Sequence, residues 1–302
     1  MKQIQKTYVF DFDSTLTRVE ALDVLAEITL ANNPQKDLII NEIIAITNKG
    51  IDGDISFTES LERRINLLNA SKEDLSVLTE RLKTKVSKSI IENKEFFENY
   101  SNDIYVISCG FKEFIDPIVA AYNIPSERVF ANTFEYDDAN NIIGFNSANP
   151  LAKHNGKIEC LKNLNLPGEV QVIGDGYSDY VMREAGIADK FFAYTENVSR
   201  DKAINNADHV TPNLDEFLYV NKLPRNISFP KHRIKILLLE NVHPDAFERL
   251  SDDGFTVETV SHSLSEADLI EKIKEPRPPN MKLKRRPRLT HSWFIKKRLI
   301  FW

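Results

Sequence analysis

Apolar positions along the chain fall into two textures. Thr7 to Phe10 is a β-branched and aromatic run, the composition of a buried strand. It ends in two carboxylates one residue apart, Asp11 and Asp13. From Val19 to Ser89 the period changes. Leu22, Leu25 and Ile28, then Leu61, Ile65 and Leu68, recur at helical spacing, and no strand pattern interrupts them. Asn33-Pro34 and the stretch from Gly50 to Gly53 read as turns between several helices. Short strands and helices then alternate. Ile104 to Ile107 reads as strand, Phe111 to Tyr122 as helix, and Val129 to Phe145 as two short strands around the turn at Asp137 to Asn141. Gly156 to Leu164 reads as helix, Val170 to Ile173 as buried strand and Ser178 to Ala185 as helix. Lys190 to Ala193 and Ala207 to Val210 read as further strands. This alternation predicts a parallel, doubly wound α/β sheet. The helical stretch predicts an all-helical insertion overhanging the end of the first strand as a cap.

The texture changes again near Asn221. Lys222, Pro224, Arg225, Asn226, Pro230 and Lys231 form a polar, proline-marked linker. Ile234 to Leu239, Pro244 to Leu250 and Phe255 to Val260 then read as a fresh strand, helix and strand, too short to bury a good core alone. From Pro276 onward the chain carries nine Lys/Arg and no acid, both tryptophans, Trp293 and Trp302, and no steady period. The expected organisation is a core of residues 1–17 and 86–220, a cap of 18–85, a linker of 221–232, a partial β-α-β of 233–275 and a basic, disordered tail of 276–302.

Composition narrows the classes. With 302 residues, 42% hydrophobic and 28% charged, the chain is an ordinary soluble globular protein. A formal charge of −6 does not suggest a nucleic-acid binder, and no run approaches the roughly 18 apolar residues of a membrane span. Cys109 and Cys160 form no CxxC pair, which excludes a thiolate zinc site and a disulfide framework and fits a reducing compartment. The first strand leaves no room for a signal peptide's apolar region. The expected location is the cytoplasm.

Three predicted strand ends carry polar groups. The first offers Asp11 and Asp13, which strand alternation would place on one side. The second offers Ser108 and Gly110, and the third Asp175, with Asp179 four residues on. Lys157 opens a helix between them. In parallel α/β sheets ligands sit at the carboxyl ends of strands. Taken singly, each piece is ordinary. A DxD is also a strand end with an Asp/Ser/Thr turn, Ser108-Cys109-Gly110 a strand-to-helix turn, and Lys157 a solvated helix lysine. Gly174-Asp175-Gly176 hints at a dinucleotide loop, but Asp179 stands where a third glycine belongs. Together they suit phosphoryl transfer: carboxylates for a hard cation, a carboxylate nucleophile, a second acid for protons, and a Ser and a Lys for phosphate oxygens.

That order of motifs resembles the haloacid dehalogenase superfamily and, within it, the phosphoserine phosphatase family. The motifs are DFDSTLT, SCGF, Lys157 in KIECLKNL, and GDGYSD. The resemblance covers about residues 5–215 and implies a Rossmann-like core. It also implies Asp11 as nucleophile and Asp13 as general acid/base. Mg²⁺ would be held by Asp11, the Asp13 carbonyl and Asp175, supported by Asp179. Ser108, Cys109 and Lys157 would hold phosphate. In the cap it implies Glu20 for the substrate ammonium and Arg64 for its carboxylate, with Ser178 as a further substrate contact. Three positions depart from the pattern: Ile51 for Met, Ser178 for Asn and Cys109 for Gly. The implied partner is a small phosphomonoester, with neither nucleic acid nor membrane, and an oligomer is left open. Another small phosphomonoester, or a weakly catalytic phosphate-binding regulatory module, are the alternative readings.

The segment from Arg233 to Lys274 resembles the opening of D-3-phosphoglycerate dehydrogenases. No GxGxxG follows it. The composition break after Glu275 leads to the expectation of a fusion cut short, with an aberrant tail. A basic tail for nucleic acid or anionic membrane is the rival expectation.

Overall fold

The computed structural model describes residues 5–52, 54–227, 229–240, 242–262, 264–273, 295–296 and 299–301. The chain divides into two compact units, Met1–Asn226 and Ile227–Trp302.

In the first unit, β1 (Lys6–Phe10) is buried on both faces: Tyr8 and Phe10 enter one hydrophobic cluster and Val9 the other. A strand covered on both faces by helices reads as a continuous apolar run, as this one does. Four helices follow: α1 (Ala21–Thr29), α2 (Lys36–Asp52), α3 (Phe57–Leu68) and α4 (Lys72–Lys83). Their starts are encoded locally. The Ser56 side chain accepts the Glu59 N–H, and Ser71 and Asp74 form a reciprocal capping box. Leu25, Leu61, Ile65, Leu68, Leu78 and Leu82 bury the apolar stripes. Contrary to the sequence reading, α2 continues through Gly50 to Asp52.

The chain returns through α5 (Lys88–Glu92) and α6 (Lys94–Tyr100) to β2 (Ile104–Phe111), α7 (Lys112–Val119) and β3 (Val129–Asn132). β4 (Phe134–Tyr136) and β5 (Ile142–Phe145) make a separate antiparallel hairpin. The Val129 to Phe145 stretch therefore holds three strands, not two. The hairpin joins the cap: the Lys72 N–H donates to the Asn140 carbonyl at 3.0 Å, and the Ile142 N–H to that of Ala70 at 2.8 Å. Then come α8 (Gly156–Leu164), β6 (Glu169–Gly174), α9 (Tyr177–Glu184), β7 (Lys190–Tyr194), α10 (Asp201–Ile204), β8 (His209–Thr211) and α11 (Leu214–Asn221).

The main sheet is parallel in the order β3-β2-β1-β6-β7-β8. The chain runs outward from β1 through β2 to β3, then crosses to β6 on the other side. The strand order reverses at β1, so a crevice opens at its carboxyl end, where such sheets bind ligands.

The second unit contains β9 (Lys235–Leu238), α12 (Asp245–Asp252), β10 (Thr256–Thr259), α13 (Glu266–Ile273), β11 (Ile295–Lys296) and β12 (Leu299–Phe301). β9 pairs parallel with β10 and antiparallel with β12. Part of the stretch expected to be a disordered tail is thus strand, because β9 offers it an open edge. The remainder of 276–302 lies outside the described residues. Among the described residues no helix is long and apolar enough to cross a membrane.

Candidate active site

Asp11 follows directly on β1, and its N–H still donates to the Ile173 carbonyl of β6 at 2.9 Å. The strand's pleat ends there. Phe12–Leu16 is one wide helical turn, within which Asp13 is extended and Ser14 left-handed, at φ 55°. The placement of Asp13 therefore comes from this turn rather than from the strand alternation expected of it. Asp11 Oδ1 accepts the Phe12 N–H at 2.7 Å and lies 2.9 Å from the Lys157 ammonium. Asp13 Oδ1 accepts the Ala21 N–H at 2.8 Å, tying it to the start of α1.

Lys157 is buried, held at 2.7 Å from Asp179 Oδ1 as well as to Asp11. A close backbone approach places it. At Gly156 an added Cβ would stand 1.9 Å from the Pro150 carbonyl oxygen, so only glycine lets α8 begin there. Asp179 divides its oxygens between the Lys157 ammonium and the Gly176 N–H, at 2.7 and 3.1 Å. Ser108 is buried and its Oγ accepts the Gly110 N–H at 3.0 Å, leaving its own proton to donate. Along this stretch β2 takes four steps, Ile107 to Phe111, against two on β3. Such a bulge takes Ser108 to Gly110 out of the regular ladder at the end of β2. At Gly110 a Cβ would come within 3.2 Å of both Asp13 Oδ2 and Ser108 Oγ. The Cys109 side chain, one residue earlier, is accommodated half-buried, with its carbonyl accepting the Asn132 side-chain N–H at 2.9 Å.

The charges act on one another. Burial, with Glu20 nearby, holds the Asp13 carboxyl well above the usual carboxylate range. Burial and then Asp11 raise the Asp175 carboxyl, and push that of Asp179 up to about 7. Burial would lower Lys157, but the Asp11 and Asp179 carboxylates outweigh it and hold the ammonium well above its ordinary value. Burial pushes the Cys109 thiol up to about 11, which keeps it protonated and a poor nucleophile.

Glu20 Oε1 accepts the Ser14 hydroxyl at 2.7 Å, and burial raises its carboxyl. Arg64 donates only to the Ser60 carbonyl, at 3.3 Å, and forms no ion pair among the described residues. Burial lowers it, while Asp23, Glu20 and Asp13 lie close enough to oppose that. Ser178 is not drawn into this network and stays exposed on the first turn of α9. Sequence reasoning missed Arg200. Its Nε lies 2.6 Å from Asp175 Oδ2 and its Nη2 3.4 Å from Glu20 Oε1. The only available signal was topological, a loop following the strand next to β6 at the same sheet edge.

Oxygens of Asp11, Asp175 and Asp179 lie within 4.8 Å of one another. Three crowded carboxylates with an all-oxygen donor set fit a hard divalent cation, which would relieve the mutual repulsion that adds to burial in raising the Asp175 and Asp179 carboxyls.

Residues 8–184 match the family profile of the haloacid dehalogenase-like hydrolases. The chain belongs to that family. It is 28% identical over 202 residues to the chloroplastic phosphoserine phosphatase of Arabidopsis thaliana, which spans 66% of this chain and 66% of that protein. Among solved structures it is similar to a phosphoserine phosphohydrolase-like protein from Francisella tularensis. That likeness has 32% identity and a TM-score of 0.63, and covers 72% of this chain and 99% of the other. A separate 48-residue stretch is 56% identical to a D-3-phosphoglycerate dehydrogenase of Dictyostelium discoideum, 16% of this chain and 12% of that one.

Proposed function

We propose that the chain is a phosphoserine phosphatase that hydrolyses O-phospho-L-serine to L-serine and phosphate. The observation that carries this is the pairing of an acid and a base on the cap side. Glu20 and Arg64, which has no ion pair among the described residues, lie near Asp13 with charges opposite to the ammonium and carboxylate of an amino acid.

The Asp11 carboxylate attacks phosphorus through the oxygen not held by Phe12 and Lys157. The phosphorus–oxygen ester bond breaks, and Asp13, whose hold on a proton is strengthened by burial and by Glu20, gives its proton to the leaving serine oxygen. The aspartyl-phosphate is then attacked by water, whose proton returns to Asp13, and phosphate leaves with Asp11 restored. The Ser108 hydroxyl and the Lys157 ammonium hold the non-bridging oxygens. Magnesium, bound by Asp11, Asp175 and the Asp13 carbonyl with Asp179 in support, would supply charge neutralisation at the phosphoryl group. Ser178 and Cys109 take lesser parts, Ser178 through its exposed hydroxyl and Cys109 through its backbone N–H.

The test is phosphate release from L-phosphoserine with Mg²⁺, beside sugar phosphates, phosphoglycolate and an aryl phosphate. Phosphoserine should be preferred by at least about tenfold in kcat/KM, the scale of one charged hydrogen bond. Equal turnover of a sugar phosphate would overturn the substrate assignment. Unchanged thermal stability on adding Mg²⁺, or an equal rise in Asp175→Asn, would overturn the metal assignment.

A further inference from the structure

One loop, Thr195 to Arg200, touches both chain segments that lead into and out of the cap. The outgoing segment is Ser14 to Val19 and the returning one Lys85 to Ser89. They are paired with each other: the Arg18 N–H donates to the Lys85 carbonyl at 2.8 Å, the Ser87 N–H to that of Leu16 at 2.9 Å, and Thr17 bridges Val86. The Asn197 side-chain N–H₂ is aimed at three acceptors: the Ser14 carbonyl at 3.0 Å, Ser87 Oγ at 2.7 Å and the Thr17 carbonyl at 3.4 Å. Two carbonyls accept only, so the amide's orientation is fixed. The Ser87 hydroxyl donates to the Thr15 carbonyl at 2.7 Å and so must accept from Asn197. Beside it, the Glu196 carboxylate accepts the Ser89 N–H at 3.0 Å, the Ser89 hydroxyl and the Tyr194 hydroxyl.

Ser14 is where this matters for chemistry. It is a non-glycine residue in left-handed backbone, which its surroundings must enforce. Its carbonyl is held by Asn197 and its hydroxyl holds Glu20. Asp13 precedes it in the same turn. The contact thus runs from Asn197 through the Ser14 backbone to the carboxylate that faces the substrate.

We propose that Asn197 is a positioning residue for substrate selection. Its carboxamide fixes the Ser14 turn and pins both cap linkers to the core, so that Glu20 meets the substrate ammonium in one geometry. This rests on the reading of the site as a phosphoserine phosphatase. Among the described residues the Asn197 side chain donates to Ser14, Thr17 and Ser87 and to none of Asp11, Asp13, Ser108 or Lys157.

The experiment compares wild type, Asn197→Ala and Ser87→Ala in the full chain. Steady-state kinetics use L-phosphoserine and p-nitrophenyl phosphate, which carries no ammonium for Glu20. Amide hydrogen exchange is followed in residues 12–19 and 85–91. In Asn197→Ala the KM for L-phosphoserine should rise about tenfold, the scale of one or two partly buried hydrogen bonds, with kcat within about threefold. The KM for the aryl phosphate should stay within about twofold, and both linker segments should exchange faster. Ser87→Ala, which keeps Asn197 but removes one of its acceptors, should show a smaller shift in the same direction. It also carries the test if Asn197→Ala fails to accumulate. Equal losses for both substrates, or unchanged exchange in the linkers, would overturn the proposal. A wild type with no preference for phosphoserine would overturn the substrate reading instead, and the exchange data would still decide whether Asn197 pins the linkers.

Discussion

Asp11, Lys157 and Asp179 lie on the floor of the crevice with their side chains interlocked, whereas Glu20 and Arg64 reach the same space from the cap side with few fixed partners. Lys157 has two carboxylates within 2.9 Å and is almost wholly buried. Glu20 has a 48% exposed side chain, and among the described residues Arg64 donates only to a carbonyl of its own helix. Phosphate is common to all phosphomonoesters, so its cradle can be rigid, and preorganised charge is what lowers a phosphoryl-transfer barrier. The remainder of the substrate varies, and in the proposed function it meets Arg64, which has no ion pair among the described residues, and Glu20, which is shared only with Ser14 and Arg200 among them.

The strongest challenge to this contrast is Asp11→Asn. If the floor carries the chemistry, phosphate release should fall about 10⁴-fold or more for every substrate, as for the loss of a nucleophile. Activity surviving the change would end the distinction, because the reaction would then run without the residue around which the floor is built.

Lys157→Ala probes interlocking itself. Removing one partner of a buried ionic cluster leaves Asp11 and Asp179 uncompensated, so folding stability should drop by about 3–5 kcal/mol in urea titrations. Turnover of all substrates should fall about 10²–10³-fold. A stability within about 0.5 kcal/mol of wild type would show that the floor is no more rigidly held than a surface.

Arg64→Ala should behave in the opposite manner. With no ion pair to break among the described residues, its melting temperature should move by no more than a degree or two, the scale of about 0.5 kcal/mol. The KM for L-phosphoserine should rise by about 10–100-fold, while the aryl phosphate is hydrolysed nearly as before. Equal losses for both substrates would move Arg64 from the selective side to the floor.

The same contrast governs how much the sequence disclosed. Asp11, Ser108 and Asp175 announce themselves because a parallel sheet forces its ligand-facing groups to strand ends, and strand ends are visible as apolar runs that stop, whereas Lys157, at the start of a helix, was legible only through its place in the order of motifs. The cap was legible as a change of period from two to 3.6. What stayed hidden depends on long-range pairing. Arg200 and Asn197 sit in a loop with no local signature, and only the β6–β7 pairing brings it over the crevice. The β4–β5 hairpin was read as belonging with the core strands, yet its partners are Ala70 and Lys72 of the cap. Asp13 was placed by strand alternation, and the backbone abandons the strand one residue too early for that argument.

The smallest expected effect concerns the two units. The first unit alone supplies every residue assigned to the site, and the similar Francisella protein is matched over 99% of its own length by 72% of this chain. The dehydrogenase-like stretch matches only 12% of its relative, too little for that protein's activity to follow from it. Ending the chain after Asn226 should therefore leave kcat and KM for L-phosphoserine within about twofold, the range of a change remote from the site. The reasoning is physical as well as comparative. β9 buries Ile236, Leu237 and Leu238 within a small sheet of its own, so its loss removes a core separate from that of the first unit. A tenfold rise in KM on truncation, with the melting profile of the remaining unit unchanged, would show that the second unit shapes the substrate's path. The separation between a self-sufficient catalytic unit and an appended one would then fail.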